Sequence, residues 1–341
     1  MEEKPVIYFA PLEGVGGYVY RNAFHHFFSG IEKYFTPFLA PGQNKIIGTK
    51  EQRDILPDNN RGMYVVPQIL TNRSEYFVRT AKELEKEYGY REVNLNLGCP
   101  SGTVVSKGKG AGFLARKEEL RIFLDEIFAA LDMKISIKTR IGMEDPEEFH
   151  ELLELYNRYP LYELIVHPRL QKDYYKNHAD WNAYGLAAAG SRNPLCYNGD
   201  IFSTENYQKL LEVFPDTSRI MLGRGLLGDP MLAERILKAQ ESADSGKEQA
   251  GEEKQPAGYM VEEEQPAGYT AEEKERLRAF HDRLYADYRQ VLHGDVTVLF
   301  KMKELWFYMI QQFPASPKGL KKIRKAGRLP EYEAAVRELL G

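Results

Sequence analysis

Apolar positions along the first 225 residues come in short, mostly continuous runs rather than in strict alternation. Eight such runs, at 6–10, 33–39, 63–70, 92–97, 134–139, 163–167, 195–198 and 219–222, are rich in Val, Ile, Leu and Tyr. Continuous runs of this length predict strands buried on both faces, as in a parallel sheet. Between them, residues 74–88, 117–131, 146–159 and 204–214 repeat apolar positions at helical spacing and predict amphipathic helices. Eight strand–helix units in about 240 residues predict a closed (β/α)8 barrel, an α/β fold, with a doubly wound open sheet as the alternative. The second unit is the least regular, because residues 42–60 read as a long loop.

The pattern then changes twice. Residues 241–275 are polar and nearly repeat one motif, Lys254-Gln255-Pro256-Ala257-Gly258-Tyr259 and Glu264-Gln265-Pro266-Ala267-Gly268-Tyr269. Two copies are too few for a solenoid, so the composition predicts a flexible acidic insert. Helical spacing returns at 271–291, 296–312, 317–325 and 330–340, enough for a small bundle that leans on the barrel. The organisation expected is therefore a barrel over 1–240, an insert over 241–275 and a helical domain over 276–341.

Charge separates these parts. The net charge of −4 is ordinary, but residues 276–341 carry 13 Lys/Arg against 7 Asp/Glu, whereas 241–275 carry 3 Lys against 11 Asp/Glu. A basic appendage on a mildly acidic body is the footprint of a polyanion-binding domain, although a solvated helical face gives the same charge. The aromatics Trp306, Phe307 and Tyr308 within it are expected in the bundle core. Two cysteines, Cys99 and Cys196, build neither a disulfide framework nor a Cys-rich metal site. With no membrane-length apolar run and no secretory signal, the chain is expected in the cytoplasm, as a monomer without metal.

In barrels the chemistry gathers at the C-terminal ends of the strands. Here those ends carry Pro11-Leu12-Glu13-Gly14, Gln68, Asn94-Leu95-Asn96-Leu97-Gly98-Cys99-Pro100, Lys138-Thr139-Arg140, His167-Pro168-Arg169, Asn198-Gly199-Asp200 and Gly223-Arg224-Gly225. Loops after the last two strands form the usual phosphate site, where glycines admit backbone N–H groups and Arg224 adds a cation. With Lys138 and Gln68 reaching into the mouth, that site suits flavin mononucleotide. A salt bridge from Lys138 to Glu13 or Asp200 is the structural alternative. Cys99, on a loop at the reactive end, is a candidate acid or nucleophile, whereas Cys196 inside a strand reads as a small buried hydrophobe. The stretch Lys107-Gly108-Lys109-Gly110-Ala111-Gly112 lacks P-loop spacing and reads as a flexible lid. His25 and His26 read as packing residues.

These motifs carry a resemblance. From about Ile7 to Ala239 the sequence resembles the bacterial tRNA-dihydrouridine synthases. The resemblance rests on Ala10-Pro11-Leu12-Glu13-Gly14-Val15, the Asn94–Pro100 segment, Ile137-Lys138-Thr139-Arg140-Ile141-Gly142, His167-Pro168-Arg169 with Ala179-Asp180-Trp181, and Met221-Leu222-Gly223-Arg224-Gly225. It implies an FMN barrel, NADPH as reductant, a D-loop uridine of tRNA as substrate, and Cys99 as the general acid. It implies flavin contacts from Pro11, Leu12, Glu13, Gln68, Lys138, His167, Asn198, Gly199, Asp200, Gly223 and Arg224. Asn96, Arg140 and Arg169 are then expected near the substrate, and Lys301, Lys303, Lys321 and Arg324 on tRNA phosphates. Departures are Gly16-Gly17 where the family pattern has Thr-Asp, Asn94 where it often has Asp, and the acidic insert. The rivals are a small-molecule flavin reductase, which has no need of the basic tail, and an RNA-binding protein that keeps the barrel only as a scaffold.

Overall fold

The computed structural model describes residues 4–247, 268–309, 313 and 317–340. Its strands are β1 (Val6–Phe9), β2 (Lys33–Phe35), β3 (Val65–Val66), β4 (Gln68–Ile69), β5 (Glu92–Leu97), β6 (Lys134–Gly142), β7 (Glu163–Leu170), β8 (Leu195–Tyr197) and β9 (Arg219–Leu222). They pair in the order β3-β2-β1-β9-β8-β7-β6-β5-β4, all parallel. The two ends of that series, β3 and β4, are one stretch of chain parted by Pro67, which has no N–H to donate. The nine segments thus form a ring of eight strands, the (β/α)8 barrel that the pattern predicts. A bridge between Leu39 and Ile69 reinforces the seam.

Around the ring run α1 (Tyr18–Phe27), α2 (Thr49–Ile55), α3 (Ser74–Tyr88), α4 (Gly102–Val105), α5 (Lys117–Ala130), α6 (Glu148–Tyr156), α7 (Trp181–Gly190), α8 (Thr204–Val213), α9 (Arg224–Gly228) and α10 (Leu232–Lys247). The expected loop at 42–60 contains α2, whose Glu51 carboxylate accepts from the N–H groups of Gly48 and Ala40. Its four exposed polar and charged positions, Thr49, Lys50, Gln52 and Arg53, hide the helix from a periodicity argument. Helix α7 starts at Asp180, whose carboxylate accepts from Ala183 N at 3.1 Å. The C-terminal helices are α11 (Ala271–Val291), α12 (Asp295–Met309), α13 (Pro317–Lys325) and α14 (Leu329–Leu340). Helix α10 continues beyond residue 240, and α11 begins before 276. Most of the expected acidic insert, from 248 to 267, lies outside the described residues.

Packing splits the strands by face. Val93, Leu95 and Leu97 face the helices within the main core, and Glu92, Asn94 and Asn96 alternate with them toward the barrel interior. The interior has only a small apolar cluster, Tyr8, Ala10, Phe35, Val66, Ile165, Cys196 and Met221. Cys196 is therefore a buried packing residue, as expected. The floor is polar too. Lys33 Nζ sits 3.0 Å from both carboxylate oxygens of Glu92, with the rings of Tyr162, Tyr8 and Tyr64 at 4.5, 5.2 and 5.4 Å. Beside it Tyr8 donates to Glu163 at 2.9 Å, and Arg219 approaches the same carboxylate at 3.4 Å.

The C-terminal helices lean on the barrel in two places. Phe280 of α11 meets Tyr20 and Phe28 edge-on at 5.7 and 5.0 Å. Lys301 of α12 donates to the carbonyl of Gly14, in the loop after β1. Contact with that loop sets α12 beside the C-terminal end of the barrel, where the site lies.

Candidate active site

A chain of carboxamides crosses the barrel mouth, and its polarity is fixed from one end. Asn96 Oδ1 accepts the backbone N–H groups of Gly98 and Cys99 at 3.1 and 2.9 Å, so that atom is the oxygen. Its Nδ2 must then donate to Gln68 Oε1, at 2.7 Å. Gln68 Nε2 in turn donates to Asn94 Oδ1 at 2.7 Å, and Asn94 Nδ2 to Ser136 Oγ at 2.9 Å. All four side chains are buried. Asn96 thus supports the Cys99 loop from below, and Gln68 spans the two asparagines.

Cys99 is half-buried. Burial pushes its thiol pKa up, against smaller opposing effects of a Ser101 backbone hydrogen bond and the charges of Arg140 and Lys138. The thiol is therefore protonated at neutral pH and able to act as an acid. The glycine-rich stretch expected as a flexible lid is instead packed beneath it. Gly110, Ala111, Gly112 and Phe113 are buried, and Ala111 N donates to the Cys99 carbonyl at 3.1 Å. Gly110 has φ +55°, and a Cβ there would stand 2.8 Å from that carbonyl oxygen and 2.9 Å from Cys99 Cβ.

Lys138 projects into the chamber from β6. No described carboxylate lies within ion-pairing distance of its ammonium, so the salt bridge to Glu13 or Asp200 does not form. Glu13 pairs with Lys50 at 3.6 Å, and Asp200 is taken by two arginines. Burial, and then the neighbouring Arg140, push the Lys138 pKa down to about 7. A cation in this condition is set up to receive an anion or an electron-rich ring.

His167, Arg169, Asp200 and Arg224 form the opposite wall. Arg169 Nη1 lies 2.8 Å from His167 Nε2, and since arginine only donates, Nε2 accepts and the ring is neutral with its proton on Nδ1. Burial first, then the charges of Lys138, Arg140, Arg169 and Arg224, hold the His167 pKa well below its usual value. Arg169 also donates to Asn177 O and to Asp200, which accepts from Arg224 at 2.8 Å. The Arg224 guanidinium lies between the rings of Tyr175 and Phe202, at 4.7 and 5.3 Å. Gly199 and Gly225 leave no room for a Cβ, which would collide with the Tyr197 side chain and the Ile201 carbonyl. Asn198 donates to Met221 O at 2.7 Å, joining β8 to β9.

Several expected site residues thus act through others. Arg140, 1% exposed, donates to the carbonyls of Gly98, Leu170 and Tyr174 at 3.0, 2.7 and 2.6 Å and braces the Cys99 loop. Arg169 is buried, with its donors spent on the wall. Pro11 and Leu12 are half-buried and Glu13 exposed at the rim. In the tail, Lys301 is bound to Gly14 and Glu304, and Lys303 closes the end of α13 on Ala326 O at 2.8 Å. Lys321 and Arg324 are exposed. Tyr175, over Arg224 and His167, was not foreseen; it follows Tyr174, a non-glycine residue at φ +50°. No sequence periodicity marks that loop.

The donor set fits a flavin mononucleotide: an uncompensated ammonium, a carboxamide beside it, and an arginine next to glycines packed without side-chain room. Among the described residues no group of three His, Cys, Asp or Glu is placed to hold a metal, and no helix is long and apolar enough to cross a membrane.

Fold and mouth together define a (β/α)8 barrel with a cationic chamber at the C-terminal ends of its strands. The profile of the family described as Dihydrouridine synthase (Dus) matches residues 9–295, and the chain belongs to that family, a class of flavin-dependent oxidoreductases. It is 27% identical over 251 residues to the tRNA-dihydrouridine(16) synthase of Cupriavidus necator, covering 71% of this chain and 76% of that one. It is 22% identical over 240 residues to tRNA-dihydrouridine synthase B of Pasteurella multocida, covering 70% of each. Among solved structures, TcOYE with pHBA aligns with a TM-score of 0.52 at 10% identity, over 69% of this chain and 89% of that one, a likeness of fold.

Proposed function

We propose that the protein reduces the C5=C6 bond of a D-loop uridine in tRNA, with FMN at the barrel mouth and NADPH as reductant. The carrying observation is the pairing of a protonated Cys99 thiol with the uncompensated cation of Lys138 in one chamber. Family membership and the tRNA-modifying relatives support the substrate class. Residues 1–240 supply the reaction chamber, and 276–341 the tRNA grip, with Lys321 and Arg324 on phosphates.

FMN, when bound, supplies the hydride that adds to C6 of the uracil. Negative charge then builds over C5, C4 and O4, and Cys99 Sγ gives its proton to C5, completing the reduction. The resulting thiolate is stabilised by Arg140 and Lys138 and is reprotonated from solvent. Lys138 and Gln68 would hold the flavin ring, and Arg224 and the Gly223 backbone would hold its phosphate. His167, neutral, would offer its Nδ1 proton to the flavin. Asp200 and Arg169 hold Arg224 and His167 in place, and the uracil must leave the RNA stack to reach the chamber.

The test is mass spectrometry of tRNA lacking dihydrouridine after incubation with protein, FMN and NADPH. Dihydrouridine at one position supports the reading and identifies the site. NADPH oxidation by flavin-loaded protein without any product in tRNA points to a small-molecule reductase instead.

A further inference from the structure

Helix α12 does not bury the face that its aromatic content suggests. Trp306 is in the core, donating to Tyr332 at 2.9 Å, but Phe307 beside it is 76% exposed. Phe300 is 67% and Val296 62% exposed. Positions 296, 300, 303 and 307 lie on one helical stripe, so these are neighbours on a continuous outer face. Scattered exposed apolar residues need no explanation, but two phenylalanines on one stripe of one helix do.

Charge and position say what covers it. Lys303, on the same stripe between the two rings, reaches Ala326 at the end of α13. That contact brings the basic end of α13 to the stripe, where Arg324 and Lys325 are exposed, and Lys318 and Lys321 continue along the same helix. None of these four forms an ion pair among the described residues, unlike Lys322 with Glu338 and Arg328 with Glu331. At the other side Phe307 meets Tyr308 at 5.4 Å, and Tyr308 is near enough to Arg224 and Tyr175 for their charges to act on it, with its carbonyl beside Gly228 at the end of α9. Flat apolar rings beside free cations, continuous with the chamber, suit a strand whose bases are unstacked and whose phosphates are exposed.

We infer that the outer face of α12 is a base-stacking surface on which Phe300 and Phe307 receive unpaired tRNA nucleotides, while α13 holds their phosphates. This rests on the reading of tRNA as substrate and deepens it. The rings provide affinity that salt does not screen, and the cations provide affinity that it does. Unpaired nucleotides are selected over duplex, because only splayed bases present their faces.

The test is fluorescence anisotropy of full-length protein with unmodified tRNA over a range of KCl concentrations. The variants are F300A, F307A and F307W, each checked for parental melting temperature. Each alanine variant is expected to weaken tRNA binding about 5- to 100-fold with an unchanged salt slope, and to leave binding to a blunt RNA duplex alone. F307W is expected to retain affinity, with emission quenched as tRNA is added. Parental affinity in both alanine variants overturns the inference, as does equal weakening toward the duplex. A parent dimer that F307A splits also overturns it, making the face a contact between two copies. If the parent forms dihydrouridine while both alanine variants bind normally, only the stacking surface falls. If the parent neither binds nor modifies tRNA, the functional reading falls with it.

Discussion

Asn96 meets Cys99 with an acceptor: its Oδ1 lies 2.9 Å from the Cys99 backbone N–H and 3.1 Å from that of Gly98. Those two bonds orient every carboxamide behind them, through Gln68 to Asn94 and Ser136. The loop carrying the thiol is thereby tied to three strands of the barrel.

The first prediction follows from this chain. Gln68→Glu removes the donor to Asn94 and sets a carboxylate in a closed interior, leaving Asn94 Oδ1 without its partner. Loss of about 1–3 kcal/mol of stability is expected, read as a lower midpoint in urea unfolding. An unchanged midpoint contradicts the assigned polarity.

Cys99→Ala removes the proposed proton donor but touches neither the amide chain nor the arginine wall. Dihydrouridine formation is expected to fall about 100- to 10,000-fold, with flavin and tRNA binding retained. Single-turnover reduction of unmodified tRNA measures this, and a variant as fast as the parent eliminates Cys99 as the acid.

Gly110→Ala reaches the same thiol indirectly. A methyl group at φ +55° is strained and would press on the Cys99 carbonyl and Cβ. The expected outcome is a lower kcat with flavin affinity intact, read from steady-state kinetics beside flavin titration.

Lys138 gives a pH signature. Its folded pKa of about 7 lies below the usual lysine value, so in flavin-free protein the amine is largely neutral above pH 7. An anionic group brought beside it favours the charged form, so binding takes up a proton between about pH 7 and 10. The same shift makes folding stability rise with pH over that window, since the unfolded chain still holds the proton. Calorimetry of FMN binding at pH 8 in buffers of different ionisation enthalpy should show uptake approaching one proton. Lys138→Met should abolish it, and uptake unchanged in that variant assigns the proton elsewhere.

In the tail, position separates equal charges. Lys321→Ala and Arg324→Ala are each expected to reduce the salt slope of tRNA binding by about one. Lys301→Met, which loses the bond to Gly14, is expected to lower melting temperature and leave the slope nearly unchanged. A reversed pattern places the RNA on the barrel side of α12.

The sequence carried the strands and the helix at 74–88 because their apolar runs are long and their periods clean. Helix α2 escaped notice, being seven residues of mostly charged side chains. The alternation Glu92-Val93-Asn94-Leu95-Asn96-Leu97 was present but reads as one buried run, since both faces of that strand are buried. Which face is polar decides that the chamber is lined with amides, and only the closed ring reveals it. Cys99, Lys138 and Arg224 were legible from their place at strand ends. The bracing roles of Arg140 and Arg169 were not, because an arginine that holds carbonyls and one that awaits a ligand have the same letter. Trp306 and Phe307 differ by one step of about 100° around a helix, too fine a distinction for pattern alone.

The lysine held among three tyrosines fills the bottom of the barrel with charge and rings rather than aliphatic side chains. Cys99 and Arg224 stand at the opposite end, where strands β5 and β9 finish. For the reaction proposed here, the nicotinamide and the uracil would both meet the flavin from that end, and the spent reductant would have to depart before the RNA could settle.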